Sequence, residues 1–414
     1  MHQYLLKTLE NRTEPIDVIV SGLGFMGFGF IDGSRNLPNL RIALVVSRRP
    51  GESVAYLEKY GFKAAVVDTV AEIQSNKVQN IISVSDNLDL VRDFPNEILL
   101  EVTGTVAYGT EVVLKAIEGG KHILTMNPEL QVTVGTELKK LTDTKGLMIS
   151  DVYGDQPGSL ARLLTTSRMM GFKILVAGNM KRYRDNYATQ AKMQPWADDK
   201  GLAVRQTVSF TDGTKQAIEM NLVANYFGFD ILKEGMKGAM INDIKEANTA
   251  FTDEKIPENG IVDYGLGLGL FPGVFCLVEH TSPHQQKYLR YLGLGEGPRY
   301  ALFEPYHLCH LEVAQSIIEL VTLKQPIINN STAPRMRTVT YAKRDLKAGE
   351  ILDGIGGDTM RGDICREDEN AMMLPAGLGH GAVLKNDIAI DQKISLADVE
   401  LPDNAATRLI KQSI

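Results

Sequence analysis

Three glycines, Gly22, Gly24 and Gly27, stand at G-x-G-x-x-G spacing directly after the apolar run at 17–21. In that pattern the first glycine permits a tight turn, the second lets the backbone approach a pyrophosphate, and the third lets the following helix pack close to the strand. The helix start then offers unbonded N–H groups to the phosphate charge. Phe25 and Met26 lie within the same turn and belong to the candidate cofactor site. Where an NAD site places a carboxylate for the ribose 2′-hydroxyl, roughly 20 residues on, this chain has Ser47, Arg48 and Arg49. A hydroxyl and two guanidiniums suit a 2′-phosphate, so the expected cofactor is NADP(H).

A second set of candidates carries acid, base and anion-binding chemistry. Lys181 and Arg182 follow a strand-like run at 172–180, and cations fixed at a strand end recognise phosphate or carboxylate. Lys215 and Glu219 are four apart on a helix predicted over 215–227, with Asp212 as its N-cap. The stretch 220–229 is so apolar that this helix is expected to be buried, and charges inside it need partners. Lys181, Lys215, Glu219 and Asp155 are therefore the catalytic candidates, and Arg182, Asn127 and Glu129 the substrate-binding ones. His307 and His310, at i,i+3, are read as sharing a helix face where a Zn site is conceivable.

The elements that must position these residues alternate in type through the first third of the chain. Strands are predicted at 41–47, 64–67, 81–83, 98–103, 122–127 and 147–150, with helices at 110–117 and 136–141 between them. That alternation defines an α/β, doubly wound Rossmann sheet, and ligands of such sheets lie beyond the carboxyl ends of the strands. Thr103 and Gly104 close one strand and join the cofactor candidates, while Asn127 and Glu129 close another. From about residue 158 the alternation stops. Boundaries are drawn at 1–157 for the cofactor domain, 158–332 for an α+β substrate, catalytic and dimerisation domain, and 333–414 for a small β-rich domain. The glycine-rich stretch 265–273 lacks the Lys-Ser/Thr ending of a P-loop and is read as a mobile loop or a close backbone contact.

Composition narrows the function classes. A net charge of −7 over 414 residues, with no basic run, argues against nucleic acid as the main ligand. Three widely spaced cysteines suit a reducing compartment rather than a disulfide framework. No signal-like start and no apolar run of membrane-spanning length is present, so the expectation is a cytoplasmic protein with no membrane partner.

The segments carry a resemblance. Gly22 to Gly27, the run Glu101-Val-Thr-Gly-Thr and Gly120 to Asn127 resemble the cofactor half of homoserine dehydrogenases. Arg344 to Glu350, Asp387, Ile394 and Asp398 are similar to a SAF domain, a β-clip module. Their order over nearly the whole chain resembles the DRL group, the 1-deoxyxylulose 5-phosphate reductoisomerase-like oxidoreductases. The resemblance implies an NADPH-dependent homodimer of isoprenoid biosynthesis. It would rearrange 1-deoxy-D-xylulose 5-phosphate and reduce the aldehyde to 2-C-methyl-D-erythritol 4-phosphate. That chemistry implies a divalent Mg or Mn ion on a carboxylate cluster, for which Asp151, Asp155 and Glu219 are the candidates, although no ligand spacing demonstrates it. One departure from homoserine dehydrogenases stands out: their Asn-Lys pair is replaced by Asn127, Pro128 and Glu129. Two other readings stay open, a dehydrogenase of an amino-acid semialdehyde or hydroxy acid, and a non-catalytic sensor of NADP or carbohydrate.

Overall fold

A computed structural model describes residues 2–412. Seven parallel strands form the first sheet: β1 (Ile16–Ser21), β2 (Leu40–Val46), β3 (Ala64–Val66), β4 (Ile82–Ser85), β5 (Ile98–Glu101), β6 (His122–Thr125) and β7 (Ile149–Asp151), in the order β3-β4-β2-β1-β5-β6-β7. The central strands are runs of Val, Ile and Leu buried on both faces, as a sheet covered by helices on two sides requires. The doubly wound α/β class read from the sequence is therefore present. Strand order reverses at β1, which pairs with β2 on one side and β5 on the other, and the crevice at their carboxyl ends is the natural ligand position.

The second sheet holds β8 (Lys173–Lys181), β9 (Ala239–Met240), β10 (Ile261–Leu266), β11 (Val274–Glu279) and β12 (Arg299–Glu304) in the order β12-β11-β8-β10-β9. β8 is central, parallel to β10 and antiparallel to β11. Helices Gln156–Met169 and Thr214–Phe227 cover one face, where Leu160, Leu164, Met220 and Val223 join Ala177 and Cys276 in one core. Each fully buried aliphatic side chain there contributes roughly 1.5–3 kcal/mol. Because β8 is buried along its length up to Lys181, it delivers its last polar residues straight into the space beside those helices.

Asp212 differs from its expected role. It closes helix Val204–Thr211, and Gly213, at φ 88°, makes the turn into helix Thr214–Phe227, a left-handed step that glycine takes without strain. Asp212 still accepts a hydrogen bond from the Thr214 N–H at 2.9 Å. The glycine-rich stretch is a close backbone contact, since a Cβ at Gly267 would lie 1.8 Å from the Ile241 carbonyl oxygen.

The chain crosses between the halves more than once. Helix Cys309–Leu323 follows the second sheet in sequence but buries Val313, Ile317 and Leu320 with Leu5, Leu9, Phe30 and Ile31 of the first half. The last part pairs β13 (Met336–Ala342) with β14 (Met360–Arg366) and β15 (Val383–Leu384) with β16 (Val399–Glu400). Its Ala406 and Ile410 share a core with Val112 and Ala116 of helix Val106–Glu118.

A buried ion pair ties this last part to the middle of the chain. Lys343 Nζ sits 2.7 Å from Asp212 Oδ2, with side chains 2% and 0% exposed. It also donates to the carbonyls of Ala188 and Gly357, at 2.9 and 2.8 Å. Lys343→Met should strand Asp212 as a buried charge and lower the unfolding free energy by about 3–5 kcal/mol. Urea titration checks this, and a change below about 1 kcal/mol would contradict a structural role for the pair.

Candidate active site

At the end of β1 the glycine turn has the geometry a dinucleotide needs. Gly22 adopts φ 104°, and a Cβ there would meet the Val102 carbonyl oxygen at 2.9 Å. A Cβ on Gly27 would lie 2.0 Å from the Gly22 carbonyl oxygen, so the helix packs on the strand only because residue 27 is glycine. Gly24 faces open space. It is the N-cap of helix Phe25–Gly33 with no side-chain cap bond, which leaves first-turn N–H groups, including those of Phe25 and Met26, turned toward that space. The residues present fit a pyrophosphate there.

Ser47, Arg48 and Arg49, the candidate 2′-phosphate group, directly follow β2. Ser47 Oγ accepts from Ser53 Oγ at 2.7 Å, Arg48 lies 5.6 Å over the Tyr108 ring, and Arg49 makes an exposed ion pair with Glu52 at 2.9 Å. Neither arginine is held by a buried carboxylate, so both can turn to a phosphate at small cost.

The ends of β5 and β6 are organised by a carboxylate. Glu101 is fully buried and accepts from the Thr103 N–H at 2.8 Å, Thr103 Oγ1 at 2.5 Å, Thr125 Oγ1 at 2.8 Å and Asn127 Nδ2 at 3.3 Å. Burial raises its pKa, and the hydrogen bonds oppose the rise. Asn127 is engaged on every side, since its Oδ1 caps helix Pro128–Thr144 through the Leu130 N–H while its Nδ2 also reaches the Thr105 carbonyl. These hydrogen bonds commit its side chain to fixing the turn. Gly104, at φ 66°, has open space beside it next to Thr103.

The catalytic candidates gather where β7, β8 and the helices of the second half converge. Lys215 Nζ lies 3.0 and 3.1 Å from the two carboxylate oxygens of Glu129. Burial pushes the Lys215 ammonium down, but Glu129, Asp155 and Glu219 outweigh it and its pKa is raised. Lys181 Nζ is 3.9 Å from Glu219 Oε2. Burial raises the Glu219 pKa against the opposing charges of Lys181 and Lys215. Asp155 caps helix Gln156–Met169 through its Oδ1, and its Oδ2 is buried without a hydrogen-bond partner, as is that of Asp151. Burial and the neighbouring Asp155 hold the Asp151 carboxyl well above the ordinary range.

Three amides that the sequence reading passed over hold this cluster in register. Gln216 Nε2 donates to Asn179 Oδ1 at 2.9 Å, and Asn179 Nδ2 donates to Gln156 Oε1 at 2.9 Å and Glu219 Oε2 at 3.0 Å. The signal available was their position, one on the central strand near Lys181 and two at helix starts beside charged candidates. His307 completes the rim, with its Nδ1 2.8 Å from the Gly154 carbonyl oxygen, which assigns the ring proton to that nitrogen. Cys309 Sγ lies 3.2 Å from the same ring, and burial raises the thiol pKa, so it stays protonated. Gly154 makes this closure possible, because a Cβ there would lie 2.9 Å from the Cys309 backbone.

Two expectations take a different form. His307 precedes helix Cys309–Leu323 while His310 lies in its first turn and packs edge-on against Phe25 at 5.5 Å, so the two do not share a helix face. Arg182 Nε donates to the Leu270 carbonyl at 2.7 Å and thereby anchors the glycine-rich stretch. Among the described residues no three or more His, Cys, Asp or Glu side chains converge as a metal site. Lys181 and Lys215 already bring positive charge to the carboxylates that a cation would otherwise neutralise.

Residues 154–313 match the family model described as oxidoreductase DRL, catalytic domain. Lys181, Lys215, Glu219 and Asp155 all fall within that stretch. Homoserine dehydrogenase from Neisseria gonorrhoeae (strain ATCC 700825 / FA 1090) is 28% identical over 136 residues, 33% of this chain and 28% of that protein. Homoserine dehydrogenase from Methylobacillus glycogenes is 30% identical over 118 residues, 28% of this chain and 26% of that protein. The chain thus spans about a quarter of the length of the curated relatives it matches. Among solved structures, myo-inositol 2-dehydrogenase from Lactobacillus plantarum is similar over 76% of this chain and 91% of its own, at a TM-score of 0.42 and 10% identity.

The second and third glycines of the turn should separate fold from binding. Gly24→Ala places a methyl in open space and should leave the thermal midpoint unchanged while weakening dinucleotide binding at least tenfold, about 1.4 kcal/mol. Gly27→Ala should instead destabilise the fold by about 1–3 kcal/mol through its clash with the Gly22 carbonyl. Thermal melts and fluorescence titration of both variants check this, and nucleotide binding by Gly24→Ala equal to that of the parent would remove the glycine turn as the phosphate cradle.

Proposed function

We propose that the protein is an NADP(H)-dependent oxidoreductase of the reductoisomerase-like type, acting on a small phosphorylated sugar or carbonyl compound. The observation that carries the reading is the meeting of two ammoniums and a buried, amide-held carboxylate inside the stretch that matches the DRL catalytic model, in the same chain as a glycine turn built for a dinucleotide. The nucleotide, held by Gly22, Gly24, Gly27, Ser47 and the two arginines, would supply or accept a hydride.

The residues of the chain then have distinct tasks. Glu219, when ionised, takes a proton from a substrate hydroxyl, and Asn179 holds the accepting oxygen in place. Lys181, beside Glu219, stabilises the negative oxygen that forms and returns a proton to it as the carbonyl is reduced. Lys215 is pinned by Glu129 and contributes a fixed positive charge rather than a mobile proton. His307 and Cys309 close one side and limit water. For 1-deoxy-D-xylulose 5-phosphate these steps serve the skeletal rearrangement and then the reduction to 2-C-methyl-D-erythritol 4-phosphate. The homoserine dehydrogenase relatives favour a second reading, dehydrogenation of an amino-acid semialdehyde.

A panel of phosphorylated ketoses and amino-acid semialdehydes with NADPH, with and without Mg²⁺ or Mn²⁺, separates the two. Turnover of a phosphate-free semialdehyde alone would overturn the first reading. NADPH should bind at least tenfold better than NADH, about 1.4 kcal/mol, and Arg48→Ala with Arg49→Ala should erase most of that difference. Equal affinities of the parent for both nucleotides would count against the 2′-phosphate assignment.

The pH profile follows from Glu219. Its folded pKa is raised, so the ionised base is lost as pH falls through a value above the ordinary carboxylate range, and kcat/KM should fall on that acidic limb. Glu219→Gln should remove the limb and lower kcat on the order of a hundredfold while the protein stays folded. A variant with near-normal kcat would make Glu219 a structural residue.

A further inference from the structure

A cavity of about 520 Å³ opens at the carboxyl ends of β8 and β10, against β14, and the proposed mechanism does not use it. Arg184, Tyr264, Lys233, Lys237 and Asp363 line it. Its size falls in the range of small-molecule sites.

Most of the charged side chains around it already have partners. Lys237 is paired with Glu254, Glu234 with Lys393 at 2.5 Å, and Asp185 with Lys192 at 2.5 Å. Arg361 divides its charge between Asp363 at 2.9 Å and Asp391 at 3.2 Å. Arg184 and Lys233 remain, and Lys233 is exposed with no side-chain partner among the described residues. The lining cations Arg184, Lys233 and Lys237 balance the lining carboxylates Asp185, Glu234 and Asp363 in number, and Arg184 and Lys233 are the two cations least committed to a partner.

Arg184 is held but not saturated. Its Nε donates to Asn186 Oδ1 at 2.9 Å, which fixes the plane of the guanidinium. Its two terminal nitrogens reach Gln216 Oε1 and Asp363 Oδ2 only at 3.4 Å each, the outer limit of a hydrogen bond. An anion at the ordinary charge-assisted distance of roughly 2.7–2.9 Å would win both. Asp363 would not be stranded by that exchange, because Arg361 remains at 2.9 Å. The Tyr264 ring, 5.1 Å from the guanidinium, backs it on one face.

Arg184 also connects to Glu219 of the catalytic cluster through two amide side chains. Gln216, its partner, donates to Asn179, which donates to Glu219. We infer that this cavity holds the anionic end of the substrate, a phosphate or carboxylate, through Arg184 and Lys233, with the reacting carbons extending toward Lys181 and Glu219. The assignment rests on the oxidoreductase reading above and deepens it. It moves the anion site from Arg182, whose Nε holds the Leu270 carbonyl, to Arg184 on the next turn of chain.

The test needs no nucleotide. Calorimetric titration of the ligand-free full chain with inorganic phosphate, and separately with acetate, reads the site directly. One of the two anions should bind the parent, and Arg184→Gln with Lys233→Met should weaken it at least tenfold, while Glu219→Gln should leave it unchanged. Whichever anion is lost names the substrate's charged group. Lys233→Met alone, at an exposed position, should weaken the same anion and covers the case in which the double variant does not fold. No binding to the parent by either anion, or equal binding by parent and variants, including phosphate held only at the Gly22–Gly27 turn, overturns the proposal. Loss of anion binding with no NADPH oxidation by any substrate would retain this site and remove the catalytic reading, so the two fail separately.

Discussion

An ammonium buried among carboxylates sets the terms for this molecule. Taking Lys215 out of water costs several kcal/mol unless an opposite charge meets it in good geometry, and Glu129 meets it from a helix of the other half with both carboxylate oxygens. That single pair fixes helix Thr214–Phe227 against helix Pro128–Thr144 and so sets where Gln216 and Glu219 emerge. Once Lys215 is in place, the neighbouring carboxylates can be buried too, and Lys181 at the end of β8 neutralises a second. The amides of Gln156, Asn179 and Gln216 then take up lone pairs that water would otherwise fill. Two carboxylate oxygens, on Asp151 and Asp155, remain without partners, and such orphans are tolerated where a ligand is to be met.

Much of the fold was legible because its signals are local. The glycine turn, the Val- and Ile-rich strands and the glycine stops of the first sheet depend on residues a few positions apart, and the parallel sheet follows from them. Lys215 and Glu219 were legible as a buried pair because a charged i,i+4 set on an apolar helix has few other fates. What was not legible depended on distant partners. Arg182 and Arg184 are two residues apart and chemically alike, yet one anchors Leu270 and the other faces a cavity, a choice made by strand pairing 80 or more residues away. Asn127 looked available only because Glu101 and Thr105, its partners, lie on another strand end. The replacement of an Asn-Lys pair by Asn127, Pro128 and Glu129 likewise makes sense only in space, where Glu129 receives its lysine from helix Thr214–Phe227.

The return of helix Cys309–Leu323 to the first half has a bearing on how the molecule can move and be cut. Three crossings link the halves, one through Val152 to Gln156 and one on either side of this helix, whose apolar side chains cover Leu5, Leu9 and Phe30. A first half released by cleavage just after residue 153 would keep its seven strands but present that face bare to water. The seven-stranded sheet is therefore not a detachable module. Part of its apolar cover comes from a helix encoded more than 150 residues later, and any movement of one half against the other must engage all three crossings.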